Sequence, residues 1–396
     1  MEHKSQIYLD HAATTTTSVR VLSDMLPYCS NQYGNPSSLY SVGRNAHAVM
    51  DEKREKLAEI LGVGSDEITF TSSGTESDNM AILGIARANK DYGNHILISS
   101  IEHKAVLEPA KQLSKEGFVV EYIPVDKNGL ISVEDVISRI TDKTILVSIM
   151  YANNEIGTIE PIKELGEAIS KNRKQNNFPV FHTDACQAAG YLSLNVNELG
   201  VDMMTLNASK IYGPKGIGLL YKKKGIKIAP ILFGGGQESG LRSGTENLPA
   251  IVGFTSALFH TEEVKEKEFE RLTTLREFFI EKLKEKIPDL VLNGDKEKRL
   301  PNNIHISIPA IEGESMVLML DELGIQASTG SACSASDLQV SHVLTAIKQD
   351  VNLMHGSIRF TMGEETTKED CDYVASTLSK IVEKLKSISP LTKNYE

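Results

Sequence analysis

The sequence is poor in the features that mark secreted, metal-binding or membrane proteins. Its four cysteines, Cys29, Cys186, Cys333 and Cys371, form no C-x-x-C unit, and four thiols in 396 residues make no disulfide framework. No apolar run reaches the roughly 18 residues that a membrane-spanning helix needs. The N-terminal stretch MEHKSQIYLDHAATTTT has neither the apolar core of a signal peptide nor an Arg-rich amphipathic pattern. We therefore expect a cytoplasmic protein with no metal site of its own and no membrane contact.

An excess of basic charge is also missing. Asp and Glu number 53, Lys and Arg number 42, and the formal net charge is −11 at pH 7. An acidic chain is a poor general binder of nucleic acids, so we expect no direct nucleic-acid partner. The composition, 40% hydrophobic and 24% charged, is that of an ordinary globular protein, and the length is enough for about two domains with a sizeable core.

Segments of helical spacing alternate with short apolar runs through the first part of the chain. GRNAHAVMDEKREKLAEIL (43–61) and TESDNMAILGIARANK (75–90) have the spacing of helices. The apolar runs are EITFTS (67–72), HILISS (95–100), FVVEYIPV (118–125), TILVSIMYA (144–152), PVFHTDA (179–185), DMMTLNAS (202–209) and GIGLLY (216–221). Strands that are apolar throughout and separated by helices predict an α/β fold, with a mostly parallel sheet flanked by helices.

The pattern changes after FGGGQESGLRSGTENLP (233–249). A long helical stretch from about 250 to 286 looks like a connector, and the remainder mixes strands such as NNIHISIP (302–309) with helices. We predict a large α/β domain at residues 15–262 and a smaller α+β domain built from residues 1–14 and 263–396. The run TTTT (14–17) is the only low-complexity segment and is too short to interpret.

Several polar residues stand just past strand ends, where open α/β sheets bind their ligands. In TSSGTES (71–77), Gly74 forms a turn and Thr75 begins a helix, which suits a phosphate group but also suits a plain capped helix. His103 in SIEHKA is either a titratable ring beside a ligand or a surface histidine. Asn153 and Asn154 in YANNEIGT could fix polar groups of a ligand or simply form a turn.

An aspartate and a lysine follow the next two strands. Asp184 in FHTDACQAAG ends a buried strand and needs a cation or several donors, a need that a protonated pyridine nitrogen would meet. Gln187 follows, and Cys186 reads as a packed small hydrophobic residue. Lys210 in NASKIYGPKGIG, set among small residues, could form a Schiff base, although a single lysine is ordinarily just exposed. No P-loop pattern is present in the sequence.

Taken together, these residues meet the requirements of pyridoxal phosphate. The phosphate needs backbone N–H groups, the pyridinium needs an aspartate, and the aldehyde needs a lysine. The remaining unusual stretch is STGSACSAS (328–336), in which small residues surround Cys333. By itself this stretch indicates a small buried thiol or a plain linker.

The motifs resemble those of a known family. YLDHAATT, GNPSS, FTSSGTESDN, EHKAV, LVSIMYANNEIGTIEP, HTDACQAAG, SKIYGPKGIG, GGGQESGLRSGT, STGSAC and SIRFTMG resemble, in the same order, the motifs of cysteine desulfurases of the NifS/IscS type. These are fold-type I, class V aminotransferase-like pyridoxal phosphate enzymes. The resemblance extends from about residue 7 to residue 390, which is nearly the whole chain.

The resemblance implies a set of cofactor-binding residues: Gly74, Thr75, His103, Asn154, Asp184, Gln187, Asn207, Ser209, Lys210 and Thr245. Lys210 would hold the aldehyde, Asp184 the ring nitrogen and Gln187 the ring hydroxyl, and His103 would stack on the ring. Thr245 would reach the phosphate from a second subunit, which implies a homodimer. Ser209 replaces the histidine usual in the family, so we expect weaker retention of the cofactor than in a Ser209→His variant.

The resemblance also implies a reaction. Asn154 and Arg359 would hold the carboxylate of L-cysteine, a task that suits the planar Arg fork. Lys210 and His103 would move protons, and Cys333 would attack the substrate sulfur, release alanine and keep a persulfide. The small residues around Cys333 would give the loop the reach to do this. The sulfur would pass to acceptor proteins for iron–sulfur cluster assembly or tRNA thiolation, and Cys333 could share a cluster on a scaffold partner.

Other functions remain open at this stage. A selenocysteine lyase, a cysteine sulfinate desulfinase or an aminotransferase would keep the cofactor, although an aminotransferase needs no thiol such as Cys333. A weakly catalytic platform for sulfur delivery would not need Lys210, Asp184, His103 and Arg359 together. The sequence ends with SPLTKNYE (389–396), and we leave the choice of sulfur acceptor open.

Overall fold

The computed structural model describes residues 6–173, 177–329 and 340–388. Its strands are β1 (Ile7–Tyr8), β2 (Ile68–Thr71), β3 (His95–Ser99), β4 (Val119–Ile123), β5 (Thr144–Ser148), β6 (Val180–Asp184), β7 (Met203–Asn207), β8 (Gly218–Lys222), β9 (Val291–Leu292), β10 (Asn303–Ser307), β11 (Ile325–Gln326) and β12 (Ser357–Thr361). The predicted apolar runs therefore form strands, each a little shorter than the run.

The helices are α1 (Val19–Ser30), α2 (Ser41–Leu61), α3 (Gly74–Ala88), α4 (Lys104–Lys115), α5 (Val133–Arg139), α6 (Ile162–Lys171), α7 (Val196–Leu199), α8 (Leu248–Lys286), α9 (Gly313–Asp321), α10 (His342–Ala346), α11 (Val351–Met354) and α12 (Lys368–Ile388). Side-chain caps fix several starts. Ser73 Oγ accepts from Glu76 N–H at 3.1 Å before α3, and Asn247 Oδ1 accepts from Ala250 N–H at 3.2 Å before α8. The sequence analysis did not anticipate α1 and α5.

A seven-stranded sheet in the order β2-β8-β7-β6-β5-β3-β4 forms the centre of the fold. The neighbours from β7 to β4 pair in parallel, while β8 runs antiparallel to both β2 and β7. Buried apolar side chains of the sheet pack against helices in two clusters, one that includes α2 and α6 and one that includes α3 and α4. The predicted α/β fold with a mostly parallel sheet flanked by helices is confirmed.

A second group of elements lies around a three-stranded antiparallel sheet, β12-β10-β9, and a parallel pair, β1-β11. Its core takes Ile7 and Leu9 from the N-terminal segment together with side chains of α9, α12 and the second half of α8. The first half of α8 packs in the core of the large sheet. The predicted boundary at residue 262 falls inside this unbroken helix, and the division into two domains stays a prediction. Over the described part of the chain, none of the helices has the length and apolar character to cross a membrane.

Candidate active site

A cavity of about 200 Å³ opens where strands of the large sheet end. It brings together residues that are far apart in the sequence but were predicted to share a site: Gly74, Thr75, His103, Asn154, Asp184, Gln187, Asn207, Ser209 and Lys210. Parallel strands place their carboxyl ends at one edge of the sheet, which explains the convergence. Thr245 is exposed on the single chain and does not line the cavity, and Cys333 lies outside the described residues.

The turn before α3 is shaped by a close approach that only glycine permits. A Cβ atom on Gly74 would lie 2.7 Å from Cys186 Sγ and 3.2 Å from Asn207 Nδ2. The backbone of the helix start is therefore pressed into the cavity wall, where its N–H groups can face a ligand. Asn207 Oδ1 is buried, and no group in the described part of the chain donates to it. The N–H groups of the turn suit an anionic ligand group, whereas Asn207 Oδ1 needs a ligand group that donates a hydrogen bond.

Asp184 and Gln187 form the floor of the cavity. Asp184 is buried, and one of its carboxylate oxygens, Oδ1, accepts from the backbone N–H of Cys186 at 2.9 Å. Gln187 Nε2 donates to the Ala12 carbonyl at 3.0 Å, which ties the N-terminal segment to this wall. Burial raises the pKa of the Cys186 thiol well above its usual value, so Cys186 acts as a packed neutral residue, as its sequence context indicates.

His103 is held as a neutral ring. Its Nδ1 accepts from the Ala105 N–H at 3.1 Å and so caps α4, which leaves the proton on Nε2. Burial first, and then the charge of Lys210, lower its pKa below the ordinary value. A neutral imidazole with its proton on Nε2 can donate that proton to a neighbouring group and later take it back.

Arg359 lies beside the cavity on β12, with 3% of its surface exposed. Its Nη1 donates to the backbone carbonyl of Asn154 at 2.8 Å, and its Nη2 donates to Asp10 Oδ1 at 2.7 Å. Nε is buried and finds no acceptor among the residues that the structure describes. Arg359 and Asn154 are therefore neighbours, and the Nε–H group of Arg359 stays available for a ligand oxygen. The sequence analysis missed Asp10, whose only signal was an acidic residue directly after a short strand.

Two more buried residues next to Asp184 were missed. Asp78 in the second turn of α3 lines the cavity, and its Oδ1 lies 3.7 Å from Nε2 of His182 on β6. Burial first, and then the charge of Asp184, raise the pKa of Asp78 well above its usual value. Burial lowers the pKa of His182 to about 4. His182 is therefore neutral near pH 7, and burial favours the neutral form of Asp78. The sequence offered a signal only for His182, which lies two residues before Asp184 and therefore on the same face of the strand.

The cavity thus combines a helix start, a buried carboxylate, a neutral histidine and a lysine. This set can hold a ligand that carries an anionic group, an aromatic ring and an electrophilic carbon. Within the described ranges, no group of three or more His, Cys, Asp or Glu residues is arranged to hold a metal ion.

Comparison with known proteins decides the family. The model of the aminotransferase class-V family matches residues 7–374. The chain belongs to the class-V aminotransferase family. A cysteine desulfurase IscS of Dictyoglomus turgidum is 49% identical over 99% of this chain and 98% of its own length. The class-V fold is shared with a solved NifS-like protein (36% identity, 96% of this chain and 100% of that one, TM-score 0.89). It is also shared with SspA, solved in complex with cysteine (33% identity, 90% and 98% coverage, TM-score 0.79).

Proposed function

We propose that this class-V enzyme is a pyridoxal-phosphate-dependent cysteine desulfurase that takes sulfur from L-cysteine and releases L-alanine. The observation that carries the proposal is the convergence of Lys210, Asp184 and His103 on one cavity, with Arg359 beside it. The IscS relative of Dictyoglomus turgidum, named a cysteine desulfurase, aligns with this chain over nearly its full length, and SspA was solved with cysteine bound.

The residues of the cavity fit pyridoxal phosphate. Gly74 and Thr75 at the start of α3 offer backbone N–H groups to the phosphate, and a side chain at Gly74 would fill that space. Asn207 and Ser209 stand close by as further hydrogen-bonding groups, and Gln187 could reach the ring hydroxyl. Asp184 offers its buried carboxylate to a ring nitrogen. Lys210 supplies the amine that holds the aldehyde. When bound, the cofactor would draw electrons from the α-carbon of the substrate.

The protein's own groups would then divide the remaining work. Arg359 would hold the substrate carboxylate through its free Nε–H and the adjacent Nη2, while Asp10 and the Asn154 carbonyl keep the fork in place. Lys210 Nζ would take the α-proton, and neutral His103 would carry a proton at Nε2. Because both lie in one cavity, the proton needs to travel only a short way.

Sulfur transfer would fall to Cys333. Its thiolate Sγ attacks the substrate sulfur, so that an S–S bond forms and the substrate C–S bond breaks. The carbon fragment keeps the bonding electrons, gains a proton and leaves as alanine. The outer sulfur of the Cys333 persulfide then passes to an acceptor protein of iron–sulfur cluster assembly or tRNA thiolation, and Cys333 returns to the thiol.

A homodimer belongs to the same proposal. Val19, Leu22 and Leu26 recur at helical spacing on α1 and are 80%, 50% and 66% exposed on the single chain. A strip of this kind is costly to leave in water and suits contact with a second copy. Thr245, exposed on one chain, would then reach the phosphate of the other. The cytoplasmic location expected from the sequence stays a prediction.

The proposal can be tested by supplying L-cysteine to the purified protein and to two variants, Cys333→Ala and Cys29→Ala. Cys29 is the exposed cysteine of the described residues and serves as the matched control. We expect the wild type and Cys29→Ala to release alanine and to carry a persulfide at Cys333 by mass spectrometry. We expect Cys333→Ala to do neither. Alanine release by Cys333→Ala at the wild-type rate would sink the assignment of the nucleophile.

A further inference from the structure

The threonine run at residues 14–17 packs against the turn that carries Lys210. Thr14 and Thr15 both contact the Ser209 carbonyl, 195 and 194 residues further along the chain, and Thr17 Oγ1 donates to the Gly213 carbonyl at 3.3 Å. Thr15 is the most buried member of the run, with 2% of its surface exposed. Three members of a run that is uninformative as sequence therefore contact the segment from Ser209 to Gly213.

The Thr15 hydroxyl is inserted into the turn from Ser209 to Tyr212. Its Oγ1 donates to the Ser209 carbonyl at 3.0 Å and accepts from the Tyr212 N–H at 2.8 Å. In an ordinary β-turn the first carbonyl would accept directly from the N–H three residues later. Here the hydroxyl stands between the two groups and uses one donor and one acceptor function. Lys210 follows Ser209 in this turn, so the hydroxyl sets the geometry of the backbone that carries the lysine.

The acceptor function of the hydroxyl is the part that cannot be replaced. The Ser209 carbonyl also receives the Thr15 N–H at 2.8 Å and the Thr14 hydroxyl at 3.3 Å, so it keeps donors if the Thr15 hydroxyl is removed. The Tyr212 N–H would instead lose the oxygen to which it donates. Tyr212 has φ of +61°, in the left-handed region that residues other than glycine seldom adopt, so its backbone needs to be held.

Other contacts hold Tyr212 from the far side of the turn. Its phenol oxygen accepts from the Glu364 N–H at 2.8 Å, and its carbonyl accepts from the Ser18 N–H at 3.0 Å. The Ala208 carbonyl, just before the turn, accepts from the Ile211 N–H at 3.1 Å and from the Gly213 N–H at 3.0 Å. None of these bonds joins Ser209 to Tyr212. The Thr15 hydroxyl alone bridges those two residues within the described ranges.

We propose that Thr15 is a positioning residue for Lys210: its hydroxyl holds open the turn from which the lysine amine reaches the cavity. The inference deepens the proposed function and rests on it, because it requires that Lys210 hold the cofactor. Without the hydroxyl the turn would close or twist, and the lysine would be less well placed to bond pyridoxal phosphate.

The test compares Thr15→Val, Thr15→Ser and Thr17→Val with the wild type. Valine has the shape of threonine without the hydroxyl, serine keeps the hydroxyl, and Thr17→Val removes a similar hydroxyl whose partner, Gly213, lies beyond the turn. Each protein is loaded with pyridoxal phosphate and dialysed, and cofactor loss is followed by absorbance. The fraction attached to Lys210 is measured by borohydride reduction and mass spectrometry. The pH at which the visible absorbance band changes is recorded for each.

We expect Thr15→Val to lose the cofactor about tenfold faster than the wild type, the scale of one buried hydrogen bond left unmade. Its attachment to Lys210 should fall, and the pH of the absorbance change should shift. Thr15→Ser should behave like the wild type, and so should Thr17→Val. Wild-type retention and pH profile in Thr15→Val would overturn the proposal. So would a Thr15→Ser variant as poor as the valine one, because packing of the methyl group would then explain the effect.

Folding and function are separated by two further measurements. Thermal unfolding of the cofactor-free proteins shows whether a variant is merely unstable, since a structural role alone would not move the pH of the absorbance change. If Thr15→Val fails to fold, Thr15→Ala removes the same hydroxyl without a branched side chain and is judged by the same outcomes. If the wild type takes up no pyridoxal phosphate, the proposed function itself fails, which is distinct from a difference between variants.

Discussion

Ionisable residues around the cavity differ in whether an opposite charge reaches them. Arg359 is almost fully buried and pairs with Asp10 at 2.7 Å, whereas the Asp78 carboxyl next to Asp184 meets a second carboxylate. A buried charge is costly unless it is paired, and a carboxyl beside another carboxylate becomes neutral instead. The site therefore contains one buried ion pair, Arg359 with Asp10, and beside Asp184 a carboxyl whose neutral form is favoured.

The ion pair predicts a stability loss in Asp10→Asn. The amide keeps the shape of the side chain but removes the negative charge, which leaves Arg359 buried without its counter-ion. We expect the free energy of unfolding to fall by about 2 kcal/mol, less than for a fully buried pair that loses one partner, because the Asp10 side chain is 18% exposed. Urea unfolding of the cofactor-free protein measures this. Asp24→Asn, at an exposed aspartate on α1 that accepts from Ser256, is the control. Equal midpoints for both variants would contradict the importance of the pair.

Glu160 predicts a pH dependence of stability. Burial, with a smaller effect of Asp126, raises its pKa to about 8, while the Ile131 N–H and Lys298 act in the opposite direction. The folded protein thus keeps a proton that the unfolded chain releases near the ordinary carboxyl value. This contribution to stability is complete in acid and is lost as pH rises towards 8, by up to about 1.4 kcal/mol per pH unit.

Glu160→Gln should remove that dependence, because an amide can accept from the Ile131 N–H and never ionises. Relative to the wild type, we expect the variant to gain stability steadily between pH 5 and pH 8, measured by urea unfolding at fixed pH values. The comparison cancels the titration of other groups except Glu102, whose pKa the charge of Glu160 helps to raise. Glu164→Gln, at an exposed position of α6, is the control. A difference between Glu160→Gln and the wild type that stays constant with pH would refute the prediction.

The start of β8 packs tightly against the start of α3, beside the cavity. A Cβ atom on Gly218 would lie 2.6 Å from the carbonyl carbon of Ser73 and 2.7 Å from its oxygen. Ser73 caps α3 and directly precedes Gly74. The first residue of β8 therefore fixes how far the helix start can move away from the cavity.

Gly218→Ala should displace that helix start and weaken the binding of pyridoxal phosphate. We expect a loss of about tenfold or more, since small displacements of a positioned group are costly. Fluorescence titration of the cofactor-free protein with pyridoxal phosphate gives the affinity. In Gly64→Ala, the new Cβ would meet chiefly the movable carboxylate of Asp66, so we expect no change. Equal affinities in the two alanine variants would show that the turn tolerates the shift.

The sequence predicts elements better than it predicts their directions and long-range contacts. Strand positions follow from apolar runs, but GIGLLY is as apolar as its parallel neighbours because β8 is buried between β2 and β7. Its antiparallel direction is therefore invisible in composition. Lys210, Asp184 and His103 could be chosen because each follows a strand. Asp10 and Thr15 could not, because their partners lie 349 and 194 residues away in the sequence.

For the whole molecule, the open question is what covers the apolar strip on α1, formed by Val19, Leu22 and Leu26. A second copy would bury it and would bring Thr245 to the other subunit's cavity. The double variant Leu22→Lys, Leu26→Lys should then convert dimers to monomers, because lysine charges cannot be buried there without partners. Light scattering after size-exclusion chromatography measures the mass. Cofactor retention should fall in parallel, since each phosphate would lose the Thr245 of its partner.

The matched control places the same charges on another exposed apolar pair. Leu318 on α9 and Leu323 just after it are 66% and 54% exposed, close to the values on α1. Leu318→Lys, Leu323→Lys should therefore leave both the mass and cofactor retention unchanged. If the α1 double variant is still a dimer, the subunit contact lies on another surface. If the α1 double variant is a monomer that keeps the cofactor as well as the wild type, Thr245 does not contribute to the phosphate site. Only a site shared between subunits would make cofactor retention depend on the mass of the assembly.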